Sequence, residues 1–137
     1  MKILVTGVKG QLGFDVVNEL EKRGHTAIGV DIEEMDITNK ESVNTVIHGA
    51  NPDGVIHCAA WTAVDAAEEE ENKEKVMAVN ASGTRYIAEV CKDLAIPMMY
   101  ISTDYIFDGQ GKTPWIILLS ALHGFLALME TISLELC

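Results

Sequence analysis

The 137-residue sequence predicts an α/β protein in which helices cover both faces of a parallel β-sheet. Short apolar segments typical of buried strands alternate with segments of helical periodicity. The first of these strands also runs directly into a glycine-spaced turn and a helix. The expected strands cover residues 2–6, 26–30, 53–58 and 97–101, and the expected helices cover residues 11–23, 41–49 and about 72–95.

The glycine-spaced turn lies between the first strand and the first helix. Its pattern is Gly7-x-x-Gly10-x-x-Gly13, directly after an apolar strand. In this context Gly7 permits a tight turn, Gly10 lets a pyrophosphate approach the backbone, and Gly13 lets the helix pack close to the strand. The N-terminus of the helix offers free N–H groups to the phosphates. A tight turn that binds no ligand is the alternative interpretation.

A carboxylate at the end of the second strand supports dinucleotide binding. Asp31 lies 18 residues after Gly13, close to the spacing at which an acidic residue binds a ribose diol. An ordinary turn residue at a strand end is the alternative for Asp31. With the glycine turn, this predicts a Rossmann-type doubly wound sheet, N-terminal half only, whose ligands bind at the carboxyl ends of the strands. Right-handed crossovers predict the strand order 3-2-1-4.

Turn residues separate the later elements. Gly24 ends the first helix, and Asn51-Pro52-Asp53 separates the second helix from the third strand. The run Glu68–Glu71 is interpreted as the solvated start of the third helix, with a protein-docking patch as the alternative. The third helix carries an apolar stripe with helical spacing, formed by Val76, Val79, Gly83, Ile87, Val90 and Leu94.

The composition excludes some partners and indicates a compartment. The net charge of −11 argues against binding to nucleic acid or to an anionic membrane. The three cysteines are odd in number, widely spaced and not preceded by a signal peptide, which favours reduced thiols in the cytoplasm. His57 and Cys58 have no further ligands at a suitable spacing, so we expect core packing and no metal site.

The composition changes after Trp115. Residues 113–129 contain no Asp, Glu, Lys or Arg, and the segment from Ile116 is apolar on all sides. A membrane helix here would be short, interrupted by Gly124 and without basic flanks on its far side. A buried helix or a tail with no place in the fold is favoured instead. We therefore expect an incomplete dinucleotide-binding domain over 1–115 and an atypical apolar segment of unclear structure over 116–137.

Two longer motifs resemble those of a known enzyme family. Residues 59–68 read Ala-Ala-Trp-Thr-Ala-Val-Asp-x-Ala-Glu, and residues 102–109 read Ser-Thr-Asp-Tyr-Ile-Phe-Asp-Gly. With the glycine turn, they resemble the extended short-chain dehydrogenases/reductases, and specifically the dTDP-4-dehydrorhamnose reductase family. Asn80 matches the helix asparagine of that superfamily. The resemblance covers residues 1 to about 115 and implies reduction of dTDP-4-dehydro-L-rhamnose to dTDP-L-rhamnose by NADH or NADPH.

The resemblance also implies roles for individual residues. The pyrophosphate would meet the backbone of Gly10, Gln11 and Leu12. Asp31 would hold the adenosine ribose, and Asp36 and Ile37 would lie at the adenine, although Asp36 could equally start the following turn. The nicotinamide ribose would be bordered by Ala59, Ala60 and Trp61. Asp31 favours NADH because its charge repels a 2′-phosphate, whereas Lys9 could still reach one.

The substrate would bind beyond the fourth strand. Thr103 would hydrogen-bond the substrate carbonyl, with a turn cap as the alternative, and Asp104 would lie near the sugar of the nucleotide-sugar. The family's acid, a tyrosine with a lysine four residues later, is missing, because Val90, Asp104 and Gly109 follow the three tyrosines at that distance. A phenol donates a proton near neutral pH only when a nearby cation lowers its pKa. The chain is therefore predicted to bind cofactor without catalysis.

Two other functions are compatible with the sequence. The chain could be a non-catalytic nucleotide-binding or regulatory module. It could also be a truncated chain with an unrelated or frame-shifted end and no stable function, since the strand at 97–101 would be an uncovered apolar edge. The same edge could join copies of the chain into an oligomer.

Overall fold

The computed structural model describes residues 1–102, and Met1–Tyr100 form one compact unit. The predicted alternation of strands and helices is confirmed. The strands are β1 (Lys2–Thr6), β2 (Thr26–Val30), β3 (Gly54–His57) and β4 (Met98–Tyr100). The helices are α1 (Gln11–Lys22), α2 (Lys40–Ala50), α3 (Val64–Ala67), α4 (Lys73–Met77) and α5 (Thr84–Leu94), with a 3₁₀ turn (Glu70–Asn72) and a π turn (Ala78–Gly83). The predicted boundary at 115 and the segment 116–137 lie outside the described residues.

The four described strands form one parallel sheet, as predicted, but in the order β2-β1-β3-β4. The predicted order 3-2-1-4 is wrong. The handedness rule fixes the face on which a crossover helix lies, not the edge to which the next strand is added. After β2 the chain does not add a strand outside β2, because Met35 and Ile37 bury their side chains in the loop before α2. It crosses back past β1 and adds β3 on the far side.

This reversal distributes the helices over both faces of the sheet. α1 packs on β1 and β2, whereas α2 packs on α5, which in turn contacts β3. Right-handed crossovers in opposite directions place α1 on one face and α2 and α5 on the other. The direction changes between β1 and β3, and open α/β sheets bind their ligands at the carboxyl ends of the strands at such a switch point.

The core of the described unit lies on both faces of the central strands. Leu4 pairs with Ile28 on one side and with Val55 on the other. The two central strands, β1 and β3, are apolar runs, as expected for a parallel sheet covered by helices. The side chains with the least exposure in this core include Leu4, Val5, Met35, Val43, Ile47, Val55 and Ile87.

The third predicted helix is confirmed in extent but not in regularity. Lys73 to Leu94 are helical without a break, but the middle of the run is the π turn. A β-carbon on Gly83 would lie 3.0 Å from Cγ1 of Ile37, so this glycine lets the π turn approach the loop before α2. The run Glu68–Glu71 is exposed and precedes the helix, as predicted for a solvated start.

Within residues 1–102, no helix is long and apolar enough to cross a membrane. In the same range, no three His, Cys, Asp or Glu side chains come together in a way that could hold a metal ion.

Candidate functional site

The glycine turn brings the end of β1 against the segment that follows β3. Gly7 has a φ of +70°, in the left-handed region that favours glycine. Its N–H donates to the carbonyl oxygen of Val30 at 2.9 Å, which extends the pairing with β2. A β-carbon on Gly7 would lie 2.8 Å from both Cα and N of Ala59. The carboxyl ends of β1 and β3 can therefore approach this closely only with glycine at position 7.

The start of α1 is open to a ligand. A β-carbon on Gly13 would lie 2.3 Å from the carbonyl oxygen of Gly7, so the helix sits directly on the turn, as the glycine spacing predicts. Gly10 precedes the helix without a side-chain cap, and no acidic residue lies in the first turn. Gln11 and Leu12 are exposed. The first N–H groups of a helix lack intrahelical partners and favour an anion, so a phosphate fits this position.

The carboxylate of Asp31 faces the glycine turn. One oxygen accepts a hydrogen bond from the N–H of Lys9 at 2.9 Å, and the other accepts one from the N–H of Ile32 at 2.9 Å. The carbonyl oxygen of Asp31 also accepts from the N–H groups of Glu34 and Met35, at 3.1 and 2.8 Å. Asp31 is therefore a turn residue in its backbone, while its side chain lies beside the start of α1.

The surroundings of Asp31 are acidic. The ammonium group of Lys9 pairs with the carboxylate of Glu33 in an exposed ion pair. The hydrogen bond that Lys9 donates to Glu33 raises the pKa of the Lys9 ammonium and lowers that of the Glu33 carboxyl. Glu34 accepts a hydrogen bond from the N–H of Asp31 at 3.0 Å. Lys9, the one cation that the sequence places in the glycine turn, is thus already paired.

Asp36 and Ile37 serve the loop before α2. One carboxylate oxygen of Asp36 accepts from the N–H and the hydroxyl of Thr38, at 2.9 and 2.7 Å, so the turn role considered for Asp36 is observed. The side chain of Ile37 is buried next to Gly83. A ligand at this loop would therefore meet the backbone of Ile37 rather than its side chain.

The segment after β3 is held at two points. The hydroxyl oxygen of Thr6 accepts from the N–H groups of Cys58 and Ala59, both at 3.1 Å. The side-chain amide of Asn80, in the π turn, accepts from the N–H of Trp61 at 2.7 Å and donates to its carbonyl oxygen at 3.2 Å. These bonds fix the backbone of residues 58–61 and leave Ala60 exposed between them.

His57 is buried at the end of β3, as the sequence predicts. Its side chain is 1% exposed and hydrogen-bonded at both ring nitrogens, and its ring stacks against Tyr100. Desolvation by burial lowers the pKa of His57 from its ordinary 6.5 to about 4. The imidazole is therefore neutral at physiological pH.

We expect His57 to make the fold sensitive to acid. The unfolded chain binds a proton at this residue below about pH 6.5, whereas the folded chain does so only near pH 4. On account of His57, the free energy of unfolding should fall by about 3 kcal/mol from neutral pH to pH 4. Urea denaturation across this range measures the slope. His57→Asn should flatten it, whereas His48→Asn, at an exposed position on α2, should not. Equal slopes for His57→Asn and the wild-type chain would contradict this assignment.

The structure brings most of the sequence-predicted site residues to one edge of the sheet. The glycine turn, Asp31 and residues 58–61 follow the carboxyl ends of β1, β2 and β3. Thr103 and Asp104 lie outside the described residues. The sequence did not predict the hydrogen bonds of the Thr6 hydroxyl, the clamp of Asn80 on Trp61 or the pairing of Lys9 with Glu33. Only Asn80 carried a signal, as the helix asparagine of the resemblance, because side-chain pairing between distant segments leaves no periodic pattern.

Residues 1–118 match the protein family described as the RmlD substrate binding domain. The chain belongs to this family. The dTDP-4-keto-6-deoxy-D-glucose reductase of Streptomyces niveus is 38% identical over 112 residues, which are 82% of this chain and 38% of that protein. The dTDP-4-dehydrorhamnose reductase of Streptomyces griseus is also 38% identical over 112 residues, which are 82% of this chain and 36% of that protein.

Solved structures of RmlD relatives share this fold. The dTDP-4-dehydrorhamnose reductase ortholog of Clostridium acetobutylicum has a TM-score of 0.77 and 39% identity, over 84% of this chain and 40% of that one. The Bacillus anthracis enzyme, solved in complex with NADP, has a TM-score of 0.74 and 35% identity, over 80% of this chain and 39% of that one. This chain thus spans well under half the length of these relatives.

Proposed function

We propose that this chain binds a nicotinamide dinucleotide along the carboxyl edge of its sheet. The observation that carries the proposal is the uncapped start of α1, seated on Gly7 and flanked by the carboxylate of Asp31. A phosphate fits the start of α1, and a ribose diol fits the carboxylate of Asp31. The NADP complex of the 35%-identical Bacillus anthracis relative supports the choice of ligand class.

The proposed ligand runs from the end of β2 to the end of β3. Asp31 binds the adenosine ribose, and the loop with Asp36 and Ile37 borders the adenine. The pyrophosphate lies over the backbone of Gly10, whose own N–H donates to the carbonyl oxygen of Gly7, and over the N–H groups of Gln11 and Leu12. The nicotinamide ribose lies against Ala59, Ala60 and Trp61. When bound, the cofactor supplies a hydride, and this chain's residues hold and orient it.

For the substrate we propose dTDP-4-dehydro-L-rhamnose, with Thr103 on its carbonyl and Asp104 near the sugar, although reducing it would need a proton donor that no Tyr-x-x-x-Lys pair of this chain supplies. The names of the Streptomyces griseus and Bacillus anthracis relatives support this substrate class. The proposed location is the cytoplasm, where the free thiols of Cys58 and Cys91 would stay reduced.

We expect the chain to bind NADH more tightly than NADPH. The carboxylate of Asp31 can accept both ribose hydroxyls but repels a 2′-phosphate, and the neighbouring Ile32 offers no cation. Lys9 is engaged by Glu33 and so is less available to a phosphate. Charge-assisted hydrogen bonds and like-charge repulsion of this kind amount to a difference of about tenfold in the dissociation constants.

Calorimetric titration of the full chain with NADH and NADPH tests both the site and the preference. Asp31→Ala should weaken NADH binding and bring the two dissociation constants together. Asp93→Ala removes an exposed carboxylate near the end of α5, at the opposite edge of the sheet, and should change neither. Lack of binding to either cofactor would refute the proposed function. Tighter NADPH binding that Asp31→Ala does not improve would show that this carboxylate does not face the ribose.

A further inference from the structure

The buried imidazole of His57 joins the sheet to the helix that follows it. Its Nδ1 lies 2.7 Å from the hydroxyl oxygen of Thr6, at the end of β1. Its Nε2 lies 3.1 Å from the hydroxyl oxygen of Thr84, the first residue of α5. Among residues 1–102, no buried side-chain nitrogen or oxygen lacks a hydrogen-bond partner.

The bonds around Thr6 fix the direction of the first link. Its hydroxyl oxygen already accepts from the N–H groups of Cys58 and Ala59. A hydroxyl has two acceptor lone pairs and one proton, so the proton of Thr6 must be donated to Nδ1 of His57. The imidazole therefore acts as an acceptor on this side, and it keeps the lone pairs of Thr6 aimed at the backbone after β3.

The bonds around Thr84 agree with that direction. The hydroxyl of Thr84 donates to the carbonyl oxygen of Asn80 at 2.9 Å, so its oxygen accepts from His57. The ring proton of the neutral imidazole thus lies on Nε2. One directed chain of hydrogen bonds runs from the backbone after β3, through Thr6 and His57, to Thr84 and the π turn.

We propose that His57 is a positioning residue for the nicotinamide end of the bound dinucleotide. By accepting a hydrogen bond from the Thr6 hydroxyl, the imidazole fixes the orientation of that hydroxyl. The hydroxyl oxygen in turn accepts from the N–H groups of Cys58 and Ala59. The Asn80 clamp on Trp61 holds the other end of this segment. The inference rests on the proposed function, in which residues 59–61 border the nicotinamide ribose. It adds a role for a residue that would not itself touch the ligand.

The proposal separates the two halves of the cofactor. The hydrogen-bonding partners of His57 lie at β1 and α5, whereas Asp31 and Asp36 at the proposed adenosine end make their own bonds with neighbouring backbone. Loss of the imidazole should therefore lower the affinity for NADH, which reaches residues 59–61. The affinity for 5′-AMP, which does not reach them, should be unchanged. A histidine that only stabilised the core would affect both ligands alike.

Two amide variants test which ring nitrogen matters. His57→Asn can place an acceptor near the Nδ1 position and keep the bond from Thr6. His57→Gln reaches toward Thr84 instead, and His57→Leu removes both bonds. The experiment is a titration of the full chain with NADH and with 5′-AMP. The dissociation constant for NADH should rise roughly tenfold in the Gln and Leu variants. His57→Asn should stay close to wild type for NADH, and 5′-AMP affinity should be unchanged in all three.

Each other result counts against the proposal. NADH affinity that is unchanged in the Gln and Leu variants would show that His57 positions nothing. Parallel losses of NADH and 5′-AMP would assign it a general structural role. If His57→Leu fails to fold, as urea denaturation would reveal, the Asn and Gln pair decides alone. If the wild-type chain binds neither ligand, the proposed function fails first and this inference falls with it.

Discussion

Replacing Gly13 by alanine is expected to destabilise the fold and abolish cofactor binding. The new β-carbon would lie 2.3 Å from the carbonyl oxygen of Gly7, 2.7 Å from its carbonyl carbon and 2.9 Å from Cα of Val8. All three are backbone atoms, so no flexible side chain can move aside. Overpacking typically costs about 1–3 kcal/mol, and we expect the upper end or more here. Relief would require α1 to move away from the turn, which would displace the N–H groups proposed for the pyrophosphate.

Gly49→Ala provides a matched control. Gly49 also lies in a helix, α2, but a β-carbon there would meet nothing within 4 Å. Alanine should therefore stabilise the chain by about 0.5–1 kcal/mol, because glycine loses more conformational entropy in a helix. Urea denaturation and NADH titration of both variants measure the contrast. A Gly13→Ala chain as stable and as tightly bound to NADH as the wild type would show that α1 does not sit on the turn.

The strands and helices were predictable because they depend on local periodicity, but the order of the strands was not. β1 and β2 have their predicted bounds, α1 ends one residue earlier than predicted, and α2 extends one residue further at each end. Sheet order depends on where the loop after β2 buries its apolar side chains. Two apolar residues, Met35 and Ile37, are too short a pattern to predict from the sequence whether this loop packs into the core or forms an outer strand. In the structure both side chains are buried in the loop.

The candidate site also combines features that the sequence predicts with features that it does not predict. The glycine turn and Asp31 follow sequence rules because they act through backbone geometry at fixed spacings. The π turn interrupts a helix whose apolar stripe looked continuous. Within this turn Gly83 lies against Ile37 from the loop before α2, and helical periodicity does not encode such a contact. The hydrogen-bond chain through His57 joins residues up to 53 positions apart, and no spacing rule predicts such pairs.

The second large effect concerns turnover. The 137-residue chain alone is expected to show no detectable reduction of dTDP-4-dehydro-L-rhamnose. Hydride delivery to a ketone produces an alkoxide that must be protonated, and none of the three tyrosines has a lysine four residues later. Loss of a general acid typically lowers the rate by about 10²- to 10⁴-fold. Thr103 could polarise the carbonyl, but a hydroxyl of this kind does not donate its proton near neutral pH.

The assay follows NADH absorbance with the substrate present, beside the Streptomyces griseus relative as the active reference. NADH titration of the same sample separates a folded, cofactor-binding chain without turnover from an unfolded one. Binding without turnover agrees with the missing acid and would also suit a nucleotide-binding module. Turnover close to that of the relative, lost in Thr103→Ala, would refute the prediction. The proton donor would then have to be a group other than a tyrosine with a lysine four residues later, because the sequence contains no such pair.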